Sequence, residues 1–159
     1  MITLVDDFLT DAEMDVIWDH INKGRWSIQS SNMMTPNHFL RMDLKQHKFF
    51  SRDIFRRVCD ELGKQYDLLD VYYNGQWVGR DGDLHTDNCD MTALLYVSSY
   101  GDGWGGFTQI NTKGVLPKII PPVQKRLVAF PGNIIHKGFA YSQKDAPMRI
   151  SLTYKLKNK

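Results

Sequence analysis

The sequence lacks the features that mark several specialised classes of protein. It has no apolar run near the roughly 20 residues that a membrane-spanning helix needs. Its N-terminus, MITLVDDFLTDAE, has no basic segment followed by an apolar core, so it does not have the pattern of a secretory signal. The two cysteines, Cys59 and Cys89, fit neither a disulfide framework nor a paired-cysteine zinc motif. We therefore expect a cytoplasmic protein in a reducing compartment, with no membrane partner.

An excess of charge of one sign is also missing. The formal net charge is +2 over 159 residues, and the lysines and arginines are scattered along the chain. This distribution disfavours nucleic acid as a partner. Hydrophobic residues make up 42% of the chain, as is ordinary for a globular protein of a length that can bury a core. Without a linker or low-complexity segment, residues 1–159 are expected to form a single domain.

The hydrophobic pattern changes near residue 66. Thr10 and Glu13 have the spacing of a helix-capping box, and apolar residues follow at helical spacing until Gly24. A second amphipathic helix is predicted after Ser51, with Gly63 just past its end. Residues 1–66 are thus expected to be mostly helical, with short strands between the helices.

Residues 67–159 have the pattern of a series of short strands. Runs such as LLDVYYN, MTALLYVSS, RLVAFP and MRISLTYKL are separated by clusters of Gly, Pro, Asn and Asp. This is typical of an antiparallel sandwich or barrel, here of about seven or eight strands. Pro117, Pro121 and Pro122 restrict the run between them to an edge or irregular strand. The predicted fold class is mainly β, with N-terminal helices packed on the sheet.

A metal site is the sharpest hypothesis that the residues offer. His85 and Asp87 lie two apart in GDLHTDNCD, and in an extended chain residues two apart point to the same face. His136, within NIIHKGFA, supplies a second imidazole. Two histidines and one carboxylate form the ligand set that holds non-haem Fe(II) with positions left open. Since 49 residues separate His136 from Asp87 (136 − 87), we expect His136 on a strand that faces the other two across the barrel.

Other ligand sets have weaker support. Cys89 lies four residues beyond His85 and offers an alternative zinc site with His85 and Asp87, although a lone cysteine is more often a small hydrophobic residue. The nearby aspartates lack the order of a calcium-binding EF-hand loop. The remaining histidines have no carboxylate or cysteine at ligand spacing and are expected at the surface or as helix caps: His20, His38 and His47.

An arginine in the last strand-like run points to an anionic ligand. Arg149 in APMRISLTYKL follows His136 by 13 residues (149 − 136), and Ser151 lies on the same face of that strand. A buried arginine in an apolar strand needs an anionic partner, and its planar guanidinium suits a dicarboxylate. The alternative is an arginine that reaches solvent from the end of the strand.

The ordered set HTD, FPGNIIH and RIS, behind an N-terminal VDDFLTDAEMDVIW helix, resembles the Fe(II)/2-oxoglutarate-dependent dioxygenases, in particular their prolyl-hydroxylase-like branch. The resemblance covers nearly the whole chain. It implies a double-stranded β-helix, or jelly-roll, core. It also implies Fe(II) held by His85, Asp87 and His136, with 2-oxoglutarate as cosubstrate, dioxygen as oxidant and ascorbate as an optional reductant.

Individual residues acquire roles from this resemblance. Arg149 would pair with the distal carboxylate of 2-oxoglutarate, and the hydroxyl of Tyr96 would help to hold it. Tyr73 would line the cosubstrate pocket, and Ser151 matches the serine of an R-x-S motif. The alternative for both tyrosines is a place in the core, where tyrosines on inward strand faces are common.

The implied activity is the oxidative decarboxylation of 2-oxoglutarate to succinate and CO2, coupled to hydroxylation of a prolyl or other peptide or amino-acid side chain. Two alternatives stay open. One is a dioxygenase that oxidises nucleobases, although the chain lacks the extended basic, aromatic lid that base flipping needs. The other is a non-catalytic jelly-roll module in which the same three residues hold a structural metal or none.

Overall fold

A computed structural model of the chain describes residues 1–31 and 37–159. Its elements in chain order are β1 (Thr3–Val5), α1 (Asp11–Lys23), β2 (Ser27–Ser30), β3 (His38–Asp43), a π-helical segment (Phe49–Ile54) that continues into α2 (Phe55–Glu61), β4 (Tyr66–Gln76), β5 (Met91–Tyr96), β6 (Thr108–Asn111), β7 (Lys118–Ile120), β8 (Leu127–Pro131), β9 (Ile135–Gly138) and β10 (Arg149–Asn158). In this described part of the chain, no helix has both the length and the apolar character needed to cross a membrane.

The strands form two antiparallel sheets that pack on each other. The larger sheet has the order β1-β8-β5-β10-β4-β3-β2, and the smaller sheet has the order β7-β6-β9. Apolar side chains of both sheets meet between them, among them Phe130 of the larger and Ile110 of the smaller sheet. The predicted jelly-roll fold class is confirmed. The proline-flanked strand β7 lies at an edge, where the missing N–H groups of proline cost no ladder bond.

The helices begin and end where local chemistry directs, with one exception. The Thr10 hydroxyl accepts a hydrogen bond from the Glu13 backbone N–H at 3.2 Å, and the Glu13 carboxylate accepts one from the Thr10 N–H at 2.8 Å, which confirms the capping box. The second helical segment begins at Phe49, earlier than predicted. Its first turn is held by tertiary packing, since the Tyr154 hydroxyl donates to the Phe50 carbonyl at 3.0 Å.

The first 66 residues are less helical than the sequence pattern predicts. Strand β1 pairs with β8, and strands β2 and β3 extend the larger sheet beyond β4. Each of these strands is at most six residues long, and such short runs have too few alternating positions to be separated from loop by pattern alone.

The larger sheet divides the molecule into two interiors, because successive side chains on a strand point to opposite faces. On β10, one set faces the helices in the main apolar core: Ile150, Leu152, Tyr154 and Leu156. The alternate set faces the smaller sheet: Arg149, Ser151, Thr153 and Lys155. The space between the sheets is therefore lined along β10 by a row of polar side chains.

Candidate metal and anion site

The structure brings His85, Asp87 and His136 together. Their ligand atoms all lie within 4.8 Å of one another. One oxygen of Asp87, Oδ1, is 3.5 Å from His85 Nε2, and the other, Oδ2, is 3.3 Å from His136 Nε2. Among residues 1–31 and 37–159 no other group of three or more potential ligands is as compact.

Backbone pairing between residues 82–87 and the region of β9 creates this cluster. His85 and His136 lie opposite each other and exchange both N–H to carbonyl hydrogen bonds, at 3.0 and 2.9 Å. Their ring centroids are 4.3 Å apart. The expectation that His136 faces the first two ligands across the barrel is wrong, because His136 is the direct cross-strand neighbour of His85. A long separation in sequence does not exclude adjacent strands.

Backbone carbonyls orient both imidazole rings. His85 Nδ1 lies 2.8 Å from the Asp83 carbonyl oxygen, and His136 Nδ1 lies 2.9 Å from the Ile134 carbonyl oxygen. A carbonyl only accepts hydrogen bonds, so each Nδ1 carries a proton and donates it. Each Nε2 then points toward Asp87 as the atom that can bind a metal, the usual arrangement of metal-binding histidines.

Asp87 is ionised. Burial alone would raise the pKa of its carboxyl group, but hydrogen bonds from His136 and His85 and the positive charge of Lys155 hold that pKa well below its ordinary range. The hydrogen bond to Asp87 in turn raises the pKa of His85, against the effect of burial. A proton on His85 Nε2 and a divalent cation would compete for the same lone pair, so a bound metal would displace that proton.

Two side chains outside the predicted set also contact Asp87. Oδ2 accepts a hydrogen bond from the Thr92 hydroxyl at 2.5 Å and contacts the Lys155 ammonium group. Lys155 could have been found from the sequence, because alternate residues of a strand share a face and Lys155 lies six residues after Arg149 on β10. Thr92 carries no sequence feature that would single it out.

Arg149 is buried and has no negatively charged partner among the residues that the structure describes. Its side chain is 2% exposed and donates to three neutral acceptors, the Gly106 carbonyl at 2.7 Å, Gln76 Oε1 at 2.8 Å and Thr108 Oγ1 at 3.1 Å. Burial lowers the pKa of Arg149, but a guanidinium stays charged in proteins. Within the described residues no carboxylate pairs with it. A buried cation without a counter-charge is costly, so this pocket fits an anionic ligand.

Tyr96 and Ser151 lie next to Arg149 inside the sandwich. The Tyr96 hydroxyl donates to Thr108 Oγ1 at 2.7 Å, and its ring centre lies 5.4 Å from the guanidinium carbon of Arg149. Ser151 is buried and pairs in register with Tyr96. Gln76 is the residue opposite Arg149 on β4. Gln76 and Thr108 are absent from the predicted set, and no motif in the sequence marks them.

Tyr73 does not join the site, which corrects the expectation that it lines the cosubstrate pocket. It lies in the main apolar core under the helices, with its ring centre 5.6 Å from that of Phe50 and 6.0 Å from that of His20. Its hydroxyl is buried and has no hydrogen-bond partner in residues 1–31 and 37–159, and burial raises the pKa of Tyr73 far above its ordinary value. Its neighbour Tyr72 has the opposite orientation and lines a cavity beside His85.

That cavity has a volume of about 380 Å³. Its walls come from β2, β3, β4 and the segment before His85: Ser30, Ser31, Asn37, His38, Phe39, Tyr72, Asn74, Gln76, Arg80, Asp81, Gly82, Asp83, Leu84 and His85. Next to it, Ile28, Trp77 and Val78 line a shallower depression and are 67%, 40% and 37% exposed. The cavity thus extends from a metal-ligand candidate to Gln76, the neighbour of Arg149, and has an apolar rim.

The alternative ligands do not enter the cluster. The Cys89 thiol donates to the Met91 carbonyl at 3.3 Å, and Cys89 is not part of the ligand group, so a zinc site that includes it has no support. His20 and His47 contact each other, with Nε2 atoms 3.3 Å apart. Neither they nor His38 belongs to the group.

No family model matches the sequence, and no curated protein matches it. The fold, in contrast, is similar to solved structures. An oxidoreductase of the 2OG-Fe(II) oxygenase family from Burkholderia pseudomallei is 11% identical with a TM-score of 0.81, over 98% of this chain and 84% of that chain. A prolyl hydroxylase from Trichoplax adhaerens, solved with a peptide fragment of hypoxia inducible factor, is 16% identical with a TM-score of 0.77, over 99% and 83%. HygX from Streptomyces hygroscopicus, solved with nickel, 2-oxoglutarate and hygromycin B, is 10% identical with a TM-score of 0.74, over 99% and 83%.

At these identities the likeness shows the fold. The chain has the fold of the 2OG-Fe(II) oxygenases, prolyl hydroxylases among them, so the resemblance drawn from the sequence motifs is confirmed at the level of the fold.

Proposed function

We propose that this protein is an Fe(II)- and 2-oxoglutarate-dependent oxygenase that hydroxylates a prolyl or other peptide or amino-acid side chain and releases succinate and CO2. The observation that carries the proposal is the presence, inside one sandwich, of a compact two-histidine, one-carboxylate cluster and a buried arginine that has no counter-charge in the described part of the chain. Either feature alone has a simpler explanation. Together they supply a cation site and a carboxylate site of the kind that this chemistry needs.

The three ligands fit Fe(II). His85 and His136 would bind it through Nε2, since Nδ1 of each is occupied by a backbone carbonyl. Asp87 would bind through a carboxylate oxygen, and this ligand set leaves positions open for other ligands. Bound Fe(II), with dioxygen and 2-oxoglutarate, supplies the oxidising chemistry, and ascorbate would serve as an optional reductant. The protein supplies orientation, because the rings and the carboxylate are held by hydrogen bonds before metal arrives.

Arg149 would bind the distal carboxylate of 2-oxoglutarate. The Tyr96 hydroxyl and Thr108 lie at the same end of the pocket, and Gln76 holds one arm of the guanidinium through Oε1. These contacts use neutral groups, so the positive charge of Arg149 stays available to an anion. Ser151, buried beside Tyr96, completes the polar surface that would face the cosubstrate.

The proposed substrate is a peptide side chain. Support comes from the fold shared with a prolyl hydroxylase that was solved with a peptide, and from the open cavity beside His85 with the apolar rim of Ile28, Trp77 and Val78. A cavity of about 380 Å³ is within the size range of sites that hold a small group. The two free cysteines, Cys59 and Cys89, suit the reducing environment of the cytoplasm, where iron stays ferrous.

The first test is an anaerobic titration of purified metal-free protein with Fe(II) and then 2-oxoglutarate, followed by visible absorption. We expect a charge-transfer band that requires both components and is absent in His136→Ala. The control variant His47→Ala removes an exposed histidine outside the cluster and should keep the band. Tightly held zinc and no band in the wild type would instead identify a non-catalytic module. A band justifies a screen of peptides by succinate release.

A further inference from the structure

A lysine contacts the carboxylate of the candidate metal ligand. Lys155 on β10 lies opposite Thr92 on β5, and the ammonium group of Lys155 contacts Oδ2 of Asp87. The two charged side chains are 16% and 9% exposed, so the ion pair is largely withdrawn from water. Nothing in the proposed reaction needs this positive charge, which lies next to a site for a divalent cation.

The two oxygens of Asp87 have different surroundings. Oδ2 accepts hydrogen bonds from the Thr92 hydroxyl and the Lys155 ammonium group, and it lies 3.3 Å from His136 Nε2. Oδ1 is 3.5 Å from His85 Nε2. Because Oδ2 already has a hydroxyl and an ammonium donor, Oδ1 is the oxygen that remains for a metal ion.

We infer that Lys155 is a positioning residue that, together with Thr92, holds Oδ2 of Asp87 so that the carboxylate offers only Oδ1 to the metal. Its positive charge also weakens the binding of the divalent cation and strengthens the binding of an anionic cosubstrate. The second half of this inference, on the cosubstrate, rests on the proposed function. The first half does not.

The charge balance follows from counting the charges at the cluster. Asp87 contributes one negative charge and Lys155 one positive charge, so the protein presents a divalent cation with a nearly neutral set of ligands. A carboxylate that binds beside the metal, in contrast, lies near the positive charge of Lys155, which contacts Asp87. Because Lys155 and Asp87 are both largely buried, water and salt screen the charge of Lys155 only weakly, and its effect on both affinities stays large. A lysine that acted only by packing would change both affinities in the same direction.

Replacement of Lys155 separates these roles. Lys155→Gln keeps a donor for Oδ2 without the charge, Lys155→Met removes both, and Lys155→Arg keeps the charge. The matched control is Lys23→Met, which removes an exposed lysine paired with Asp19 on α1. Dissociation constants are measured by visible absorption for Co(II), an air-stable probe of the site, and then by calorimetry for 2-oxoglutarate added to the Co(II)-loaded protein. Melting curves confirm that each variant folds.

We expect Lys155→Gln, which keeps the donor to Oδ2, to bind Co(II) more tightly, on the order of tenfold, and 2-oxoglutarate more weakly by a similar factor. Lys155→Met, which also loses that donor, should bind Co(II) less tightly than Lys155→Gln. Lys155→Arg and Lys23→Met should match the wild type in both. Weaker binding of both ligands in Lys155→Gln would show a purely structural lysine and overturn the inference, as would unchanged affinities. A third outcome is tighter Co(II) binding by Lys155→Gln when neither the wild type nor any variant binds 2-oxoglutarate. That result would support the inferred effect of Lys155 on metal binding and refute the proposed function.

Discussion

Replacing Arg149 by methionine tests the anion pocket most directly, because methionine occupies similar space without a charge or a donor. Arg149 is 2% exposed, with three neutral acceptors and, in the described residues, no acidic partner. The substitution removes an unpaired buried charge, which stabilises the fold, but leaves those acceptors without a donor, which destabilises it. Since the two effects oppose each other, we expect the free energy of unfolding to change by less than about 2 kcal/mol.

The affinity for 2-oxoglutarate should change far more than the stability. A guanidinium and a carboxylate form two parallel charge-assisted hydrogen bonds, each worth about 1.5–3 kcal/mol. Their loss raises the dissociation constant of the Arg149→Met variant by roughly 10²- to 10⁴-fold. Arg149→Lys keeps the charge but not the fork of donors, so its dissociation constant should lie between those of the wild type and Arg149→Met.

Thermal unfolding of the Co(II)-loaded protein measures this difference. At a ligand concentration of about 100 times the dissociation constant, 2-oxoglutarate stabilises the folded state by about 2.7 kcal/mol. For a chain of this length, that corresponds to a rise of about 5–10 °C in the melting temperature of the wild type. Arg149→Met should show a rise of at most about 1–2 °C at the same concentration. Urea unfolding without ligand supplies the change in intrinsic stability.

Two results would refute the reasoning. An equal rise with 2-oxoglutarate in the wild type and in Arg149→Met would show that the carboxylate binds elsewhere. A loss of several kcal/mol in the ligand-free variant would show that the guanidinium is held for its three structural hydrogen bonds, and that its burial needs no anionic partner.

Four further outcomes are expected. His136→Ala should raise the dissociation constant for Co(II) at least about 100-fold by absorption titration, because one of three protein ligands is lost. Tyr73→Phe should leave the 2-oxoglutarate affinity unchanged in calorimetry, since that hydroxyl is buried in the main apolar core, away from Arg149. Tyr96→Phe removes a hydroxyl next to the arginine pocket and should weaken that affinity about 3- to 10-fold. Glu13→Gln should cost about 1 kcal/mol of unfolding free energy at pH 7, measured in urea, because glutamine can keep the capping box but loses the ion pair with Arg57. Burial opposes ionisation of Glu13, but its hydrogen bonds lower its pKa below the ordinary 4.5. Its stabilisation is therefore complete above pH 4.5 and is lost as the pH falls below that value.

Each of these expectations has a contrary result. Unchanged Co(II) binding in His136→Ala would remove His136 from the metal site. A larger loss of 2-oxoglutarate affinity in Tyr73→Phe than in Tyr96→Phe would return Tyr73 to the pocket. A stability difference between Glu13→Gln and the wild type that stays constant from pH 7 to pH 3 would show that the Glu13 charge contributes nothing.

Features with local causes could be predicted from the sequence. The capping box of Thr10 and Glu13 and the edge position of the proline-flanked strand β7 follow from rules that act over a few residues. The shared face of His85 and Asp87, two residues apart in an extended segment, has the same origin. The early start of the second helical segment does not, because a contact with Tyr154, about a hundred residues away, helps to hold it.

The face of β4 shows where pattern alone is insufficient. In VYYN, Tyr72 and Tyr73 are adjacent and chemically identical, so alternation cannot tell which of them points to the site. The structure turns Tyr73 toward Phe50 and the helices, and Tyr72 toward the cavity. A shift of one residue in the register of a strand exchanges its two faces, and only the packing of the whole sheet sets that register.

The sequence by itself determined which chemical groups are available: two imidazoles and a carboxylate for a metal, and a guanidinium for an anion. The tertiary structure decided which of them meet. Pairing of residues 82–87 with the region of β9 places His85 beside His136, and β10 lies between β4 and β5, so that Arg149 is opposite Gln76 and Lys155 is opposite Thr92. Such pairings join residues far apart in the chain. They form only where many strands pack and hydrogen-bond together, so no local stretch of sequence specifies them.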